Sequence, residues 1–219
     1  MPNFSIDFKE PAVVVLLLLA AGLLIALLLF GLAWIHNRRS KRRGILGERS
    51  VANVLRRYGR KHGAYVAHSV YLPLYDGCTE IDHLVFGSFG IAVIETKHVG
   101  GTIEGSGTYL TQRIGTKTHS LYHPQKQNQT HIENVEHHLK KAGLSKVPVY
   151  GFVVFSNPKV VLKAKAGLRL EQLLPALERL PKGKQDPKVL RNAICSIQVR
   201  SPLKKLMHDK AAPKRKSKK

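Results

Sequence analysis

The sequence is poor in cysteine. Only 2 of its 219 residues are cysteines, Cys78 and Cys195, and they form no CxxC pair. This argues against a disulfide framework and a thiolate zinc site, favours a reducing compartment, and leaves a single bridge between the two thiols open. The sequence also lacks an HExxH motif and a GxxxxGK[ST] phosphate loop, so it shows no sign of a zinc protease of that type or of a P-loop nucleotide site.

Acidic residues are scarce as well. The chain has 14 Asp and Glu against 36 Lys and Arg, which gives a formal net charge of +22. Such a surplus favours a polyanionic partner, either nucleic acid or anionic lipid headgroups, and says nothing about the fold. The lysine-rich tail at residues 203–219 is expected to be disordered, and its sign suits a phosphate backbone.

One stretch near the N-terminus lacks charge altogether. Residues 12–35 are dominated by Leu, Val, Ala and Ile and are long enough to cross a bilayer as a helix at about 1.5 Å per residue. No small-residue cleavage motif ends the run, so we expect an anchor rather than a signal peptide. Trp34 lies near its end, and the basic residues of 36–43 follow. By the positive-inside rule, the chain after them is cytoplasmic and residues 1–11 face outwards.

Two extended segments, 79–86 and 90–97, flank a glycine-containing turn and predict a β-hairpin. Asp82 lies early in the first strand, whereas Glu95 and Lys97 end the second and project to the same face. Two carboxylates and an ammonium suit a hydrolytic site that holds a divalent metal and attacks a phosphodiester. The alternative is that Asp82 and Glu95 are polar strand residues in salt bridges with lysines.

The remaining pattern alternates between helices and strands. A helical pattern begins near Gly44, a second begins at Pro124, and an apolar run at 147–155 is typical of a buried strand. Two further helices are predicted within 168–180 and 186–197. The order predicts an α/β or α+β arrangement with a central mixed sheet.

Several short motifs, in this order and spacing, resemble the nuclease-related domain family of the PD-(D/E)xK restriction-endonuclease-like superfamily. The resemblance implies a mixed central sheet flanked by helices, here preceded by one transmembrane helix. One departure is His123, which stands where the family usually has Asn and puts the local helix cap in question. The matching segments are 44–48, 79–85, 90–97, 123–128 and 153–157.

The resemblance places Asp82, Glu95 and Lys97 in an acidic-acidic-lysine core, with Glu48 and Gln127 nearby. Asp82 and Glu95 are then the expected ligands of Mg²⁺ or Mn²⁺, and Lys97 would orient water or stabilise charge. Glu48 is a third carboxylate, an acceptor of a hydrogen bond from Lys97, or a first-turn acid that favours the helix dipole. Gln127 either contacts water or phosphate, or is an ordinary exposed amide.

Histidines offer a further set of candidates. His83 and His98 flank the acidic residues and could assist proton transfer, but we expect surface histidines. His131 and His138 are seven residues apart on a predicted helix and could share a face, without any recognised metal-ligand spacing.

These observations lead to one prediction and two competing ones. The leading prediction is a membrane-anchored, metal-dependent nuclease in the inner or plasma membrane, with DNA ahead of RNA as substrate. The first alternative is a catalytically inactive, membrane-tethered module that binds nucleic acid or anionic lipid, and the second is a structural scaffold. The predicted division is an outer N-terminus (1–11), a transmembrane helix (12–35), a basic linker (36–43), a nuclease-like domain (44–160), a helical extension (161–202) and a disordered tail (203–219).

Overall fold

The computed structural model of the protein describes residues 11–74 and 77–200. The expected outer N-terminus up to residue 10, residues 75–76 and the lysine-rich tail lie outside the described residues. The chain divides into two compact units, Met1–Gly44 and Ile45–Lys219, which are described separately below.

The first unit contains an apolar helical segment. Val14–Ile35 comprises 22 residues with a mean hydropathy of 3.0, and none of its most apolar stretch is buried. By length and composition it could cross a membrane. The guanidinium of Arg38 lies 3.9 Å from the centre of the Trp34 ring, a cation–π contact. The segment belongs to α1, whose bounds are Pro11–His62, so the expected linker 36–43 lies within a helix.

The second unit holds the C-terminal part of α1 and all other elements. These are β1 (Tyr65–Leu74), β2 (Gly77–Gly87), β3 (Gly90–Lys97), β4 (Gly101–Glu104), β5 (Tyr109–Ile114), β6 (Lys117–Tyr122), α2 (Pro124–Lys141), β7 (Val149–Phe155), β8 (Val160–Leu162), β9 (Leu168–Arg169), α3 (Leu170–Glu178) and α4 (Pro187–Cys195).

The strands form two mixed sheets. The larger has the order β1-β2-β3-β7-β9, with β1, β2 and β3 antiparallel and β3, β7 and β9 parallel. The smaller has the order β6-β5-β4-β8. The mixed α/β class is confirmed, but the second sheet was not predicted. Its strand β6 is almost entirely exposed and β8 has three residues, so neither carries a readable alternation.

Strand β3 is buried on both faces and separates the two main cores. Ile91 and Val93 pack against α2 and α4, whereas Ala92 and Ile94 pack against α1 and α3. This alternation follows from the two-residue period of a strand. It places Glu95, which continues the series of Ile91 and Val93, on the face covered by α2.

The hairpin predicted around Asp82 and Glu95 is confirmed. Its turn residues are Ser88 and Phe89, and β3 begins at Gly90, whose φ of 122° is one that side chains rarely adopt. A Cβ there would also clash with the carbonyl oxygen of Pro148. Glycine is therefore required where the hairpin meets the segment before β7.

Two other expectations are resolved in the same unit. His123 does cap α2, because its Nδ1 accepts the backbone N–H of Gln125 at 3.3 Å, and Pro124 occupies the first turn. Cys78 and Cys195 are both present as thiols, so the bridge that the sequence left open does not form.

Candidate active site

Regular strand pairing stops at the position of Asp82. β2 and β3 pair as far as His83 and Ile94, and one step further would set Asp82 opposite Glu95. Instead, Oδ2 of Asp82 accepts the backbone N–H of Thr96 at 2.7 Å. The aspartate side chain thus takes a bond that a ladder partner would otherwise make, which fixes its carboxylate at the end of β3.

The pairing of β2 with its other neighbour is interrupted at the same residue. β1 pairs through His68 with His83 and resumes with Val70 and Ile81, which omits Ser69 and Asp82. Ser69 has a φ of 47°, rare for a residue other than glycine. Asp82 is therefore released from regular pairing on both sides.

Glu95 is the most deeply buried acid of the site, with 2% of its surface exposed. Its Oε1 lies 2.6 Å from Nζ of Lys97, as expected for residues two apart on a strand. Among residues 11–74 and 77–200, no side chain or backbone group donates a hydrogen bond of good geometry to its Oε2, but Nε2 of His131 lies 3.4 Å away, within ion-pair distance. One oxygen is thus held by lysine and the other is left under-satisfied.

Helix α2 supplies the partners on the covered face. Gln127 and His131 are four residues apart and so lie on one side of the helix. Oε1 of Gln127 accepts a hydrogen bond from Nζ of Lys97 at 2.8 Å, and Nδ1 of His131 lies 3.3 Å from the hydroxyl of Thr79. Lys97 is thereby fixed between a carboxylate and an amide.

Helix α1 supplies Glu48 from the other side. The preceding residue, Gly47, lies so close to the ends of β3 and β7 that an added Cβ would be 2.5 Å from Cβ of His98 and 2.6 Å from Oγ of Ser156. Only glycine permits this approach. Glu48 is half-buried. It lies close enough to Glu80 and Glu95 for their charges to act on its carboxyl group.

The carboxylates influence one another's ionisation. Burial and the neighbouring charge of Glu95 raise the pKa of Asp82 well above its usual range. The N–H of Thr96 and the charge of Lys97 lower this pKa, but by less. Burial also raises the pKa of Glu48, helped by Glu80 and Glu95.

Glu95 behaves in the opposite way. Burial alone would raise the pKa of its carboxyl, but Lys97 and His131 more than offset this and lower the pKa. Of Asp82, Glu48 and Glu95, it is therefore Glu95 that most readily stays ionised.

Asp82, Glu95 and Glu48 thus lie close enough for their charges to interact, and the charge of Glu80 acts on Glu48. Their oxygens are hard donors of the kind Mg²⁺ prefers, and Mg²⁺ commonly takes only one or two protein carboxylates. A bound cation would give Oε2 of Glu95 a partner, and it would lower the raised pKa of Asp82. Within the described ranges, no three His, Cys, Asp or Glu side chains are placed to share one ion.

Comparison with known proteins identifies the family. The family model of the nuclease-related domain matches residues 43–156, more than half of the chain. The chain belongs to the nuclease-related domain family. An uncharacterized protein of Bacillus anthracis is 34% identical over 126 residues, which are 56% of this chain and 57% of that protein. The chain described here therefore spans little more than half of that relative's length. No solved structure matches the chain.

All five site residues predicted for the nuclease-related domain lie in one region. Contacts join Glu95, Lys97 and Gln127 directly. Asp82 and Glu48 are linked to Glu95 through the mutual effects of their charges. Glu48 makes no hydrogen bond to Lys97 among the bonds of the described side chains. The first-turn interpretation is wrong, because α1 begins at Pro11 and Glu48 lies far inside it. A role as a third carboxylate stays a prediction.

Sequence reasoning missed His131 and Glu80. His131 was considered only with its helix neighbours, although its spacing of four from Gln127 could have indicated a shared face. The expectation of surface histidines was wrong for His83, which is 2% exposed. Its Nδ1 lies 2.8 Å from Nδ1 of His68, and burial lowers its pKa to about 3. His98 is half-buried and bonded to Ser156.

Proposed function

We propose that this protein is a membrane-anchored, Mg²⁺- or Mn²⁺-dependent nuclease that hydrolyses phosphodiester bonds of DNA, with RNA as the second candidate. The observation that carries the proposal is the gathering of Asp82, Glu95 and Lys97 at the end of β3 in a chain of net charge +22. Membership in the nuclease-related domain family supports the same chemistry.

Each residue has a distinct role in the proposal. Asp82 and Glu95 would hold the metal. Glu48 lies near enough for the charge of Glu95 to act on its carboxyl group. A bound Mg²⁺ supplies a water of lowered pKa and neutralises charge on the phosphate. Lys97 donates to a phosphate oxygen or to the attacking water, which stabilises developing negative charge. Gln127 holds the lysine ammonium in place and limits its rotation.

The direct test is hydrolysis by the full-length protein in non-ionic detergent. Labelled single-stranded DNA, duplex DNA and RNA are incubated with Mg²⁺, Mn²⁺ or EDTA. We expect metal-dependent cleavage that falls by at least about a hundredfold in Asp82→Asn and Glu95→Gln. Glu136→Gln is the matched control, because this glutamate is exposed on α2. Equal cleavage by wild type and both site variants would contradict the proposal.

One observation favours the catalytically inactive alternative. Lys97 already occupies Oε1 of Glu95 at 2.6 Å, so the ammonium could replace a metal as the partner of this carboxylate. In that case the wild-type protein would bind nucleic acid and leave it intact under every metal condition. The same assay therefore separates the two functions.

A further inference from the structure

The C-terminal part of α1 carries an unpaired basic surface. Arg56, Arg57 and Arg60 are exposed and, with Asn53, line a cavity of about 430 Å³. None of the three arginines forms an ion pair with any side chain in residues 11–74 and 77–200. We call these three arginines and Asn53 the arginine cavity.

The spacing of the arginines is unfavourable unless an anion is bound. Arg56 and Arg60 are four residues apart, and Arg57 and Arg60 are three apart, so like charges face each other on the helix surface. Asn53 accepts a hydrogen bond from Nη1 of Arg56 at 2.8 Å, which orients one guanidinium. Several guanidinium groups side by side match phosphate oxygens, which guanidinium binds through paired hydrogen bonds.

We propose that the arginine cavity binds the phosphodiester backbone of nucleic acid a few nucleotides away from the candidate active site. Glu48 precedes Arg56 by eight residues on the same helix, which is about 12 Å at 1.5 Å per residue. Successive phosphates of one strand advance about 3.4 Å along a duplex axis. Along the axis of α1, the offset between Glu48 and Arg56 therefore equals roughly three or four nucleotide steps.

This inference rests on the proposed nucleic-acid substrate but not on catalysis. Backbone contacts of this kind carry no sequence information, so the cavity would position DNA or RNA without selecting a base. Anionic lipid headgroups also carry phosphate. We assign the cavity to nucleic acid because Arg56 is eight residues from Glu48 along α1 but 21 residues from Ile35, the end of the apolar segment.

The test compares two variants of equal charge. The cavity variant is Arg56→Gln/Arg57→Gln/Arg60→Gln. The control is Lys140→Gln/Lys141→Gln/Lys146→Gln, which removes three exposed positive charges at and after the end of α2. Binding of a fluorescent DNA to the full-length protein in non-ionic detergent is measured in EDTA, from about 50 to 200 mM salt, so that no metal-dependent cleavage occurs.

We expect the cavity variant to bind DNA about tenfold or more weakly at low salt. Its slope of log affinity against log salt should fall by about 2 to 3, roughly 0.9 for each lost phosphate contact. The control should keep most of the wild-type slope. Equal losses in both variants would show a general charge effect and overturn the inference.

Hydrogen exchange of residues 53–60 distinguishes the two phosphate sources. In phosphatidylcholine nanodiscs, added DNA should protect this segment in the wild type. Protection by phosphatidylserine nanodiscs alone, with none added by DNA, would assign the cavity to lipid and overturn the inference. Salt-sensitive binding through the cavity without any cleavage would instead contradict only the proposed nuclease activity.

Discussion

Asp82 shows how a single residue is held in a costly state at this site. The two interrupted ladders leave its carboxylate with the Thr96 N–H as a partner, while burial and Glu95 oppose its ionisation. A folded protein that raises the pKa of an acid binds its proton more tightly than the unfolded chain. The resulting stability is fully present below the unfolded-state pKa and is lost as the pH rises through the folded-state pKa.

Asp82→Asn should therefore stabilise the protein at neutral pH while abolishing cleavage. The amide oxygen can still accept the Thr96 N–H, and the repulsion with Glu95 is removed. We expect a gain of about 0.5–2 kcal/mol in the free energy of unfolding in EDTA, the usual size for one stabilising substitution. Thermal denaturation with and without Mg²⁺ checks this, because Mg²⁺ should stabilise only the wild type. A less stable variant in EDTA would contradict the account.

Lys97 should set the pH dependence of activity. It and His131 lower the pKa of Glu95, so Lys97→Met should raise that pKa and move the acidic limb of the pH–rate profile to higher pH. We also expect the rate at the optimum to fall about 10²- to 10³-fold. Lys126→Met, which removes an exposed lysine bonded to Thr108, should leave the profile in place. An unshifted limb in Lys97→Met would argue against control by Lys97.

At the scale of elements, the site depends on how helices meet the strand ends. α2 begins beside Thr108, whose carbonyl accepts the His123 N–H at 2.9 Å, and its first turns deliver Gln127 to Lys97. The start of this helix relies on the His123 imidazole as cap. Burial and the nearby Lys126 lower the pKa of His123, as expected if the neutral ring is the acceptor.

His123→Asn should stabilise α2, most clearly in mild acid. Because the folded-state pKa of His123 is depressed, its stabilising effect is present above the unfolded-state pKa and is lost as the pH falls towards the folded-state pKa. Asn is a good cap that does not titrate, so we expect a gain of up to about 1 kcal/mol below pH 6 and less above pH 7. Chemical denaturation at both pH values measures it. Equal changes at the two values would exclude protonation as the cause.

At the scale of the whole molecule, charge and apolar surface are sharply segregated. The first unit offers an apolar segment of 22 residues. The second unit brings Asp82, Glu95 and Glu48 close enough for their charges to interact, while the chain as a whole carries +22. A positive surface attracts polyanions over distance, and a local acidic cluster can then admit a phosphate only with a cation present.

The basic residues after Ile35 predict the orientation of the anchor. We expect a protease added outside intact cells to leave the nuclease-related domain whole, and the same protease to digest it in inverted membrane vesicles. Immunoblotting for a C-terminal tag gives the measurement. Digestion in intact cells would place the domain outside and would contradict the predicted topology.

The sequence by itself determined the apolar segment, the hairpin and the family, because these depend on local pattern and order along the chain. It also named five candidate site residues, whose roles stay predictions. Period-two alternation sufficed to place Glu95 and Lys97 together. The second sheet, the pairing of His68 with His83 and the approach of His131 to Glu95 were decided only by tertiary structure. These features join residues from distant segments, and local periodicity contains no information on which faces will meet or on where a ladder will be interrupted.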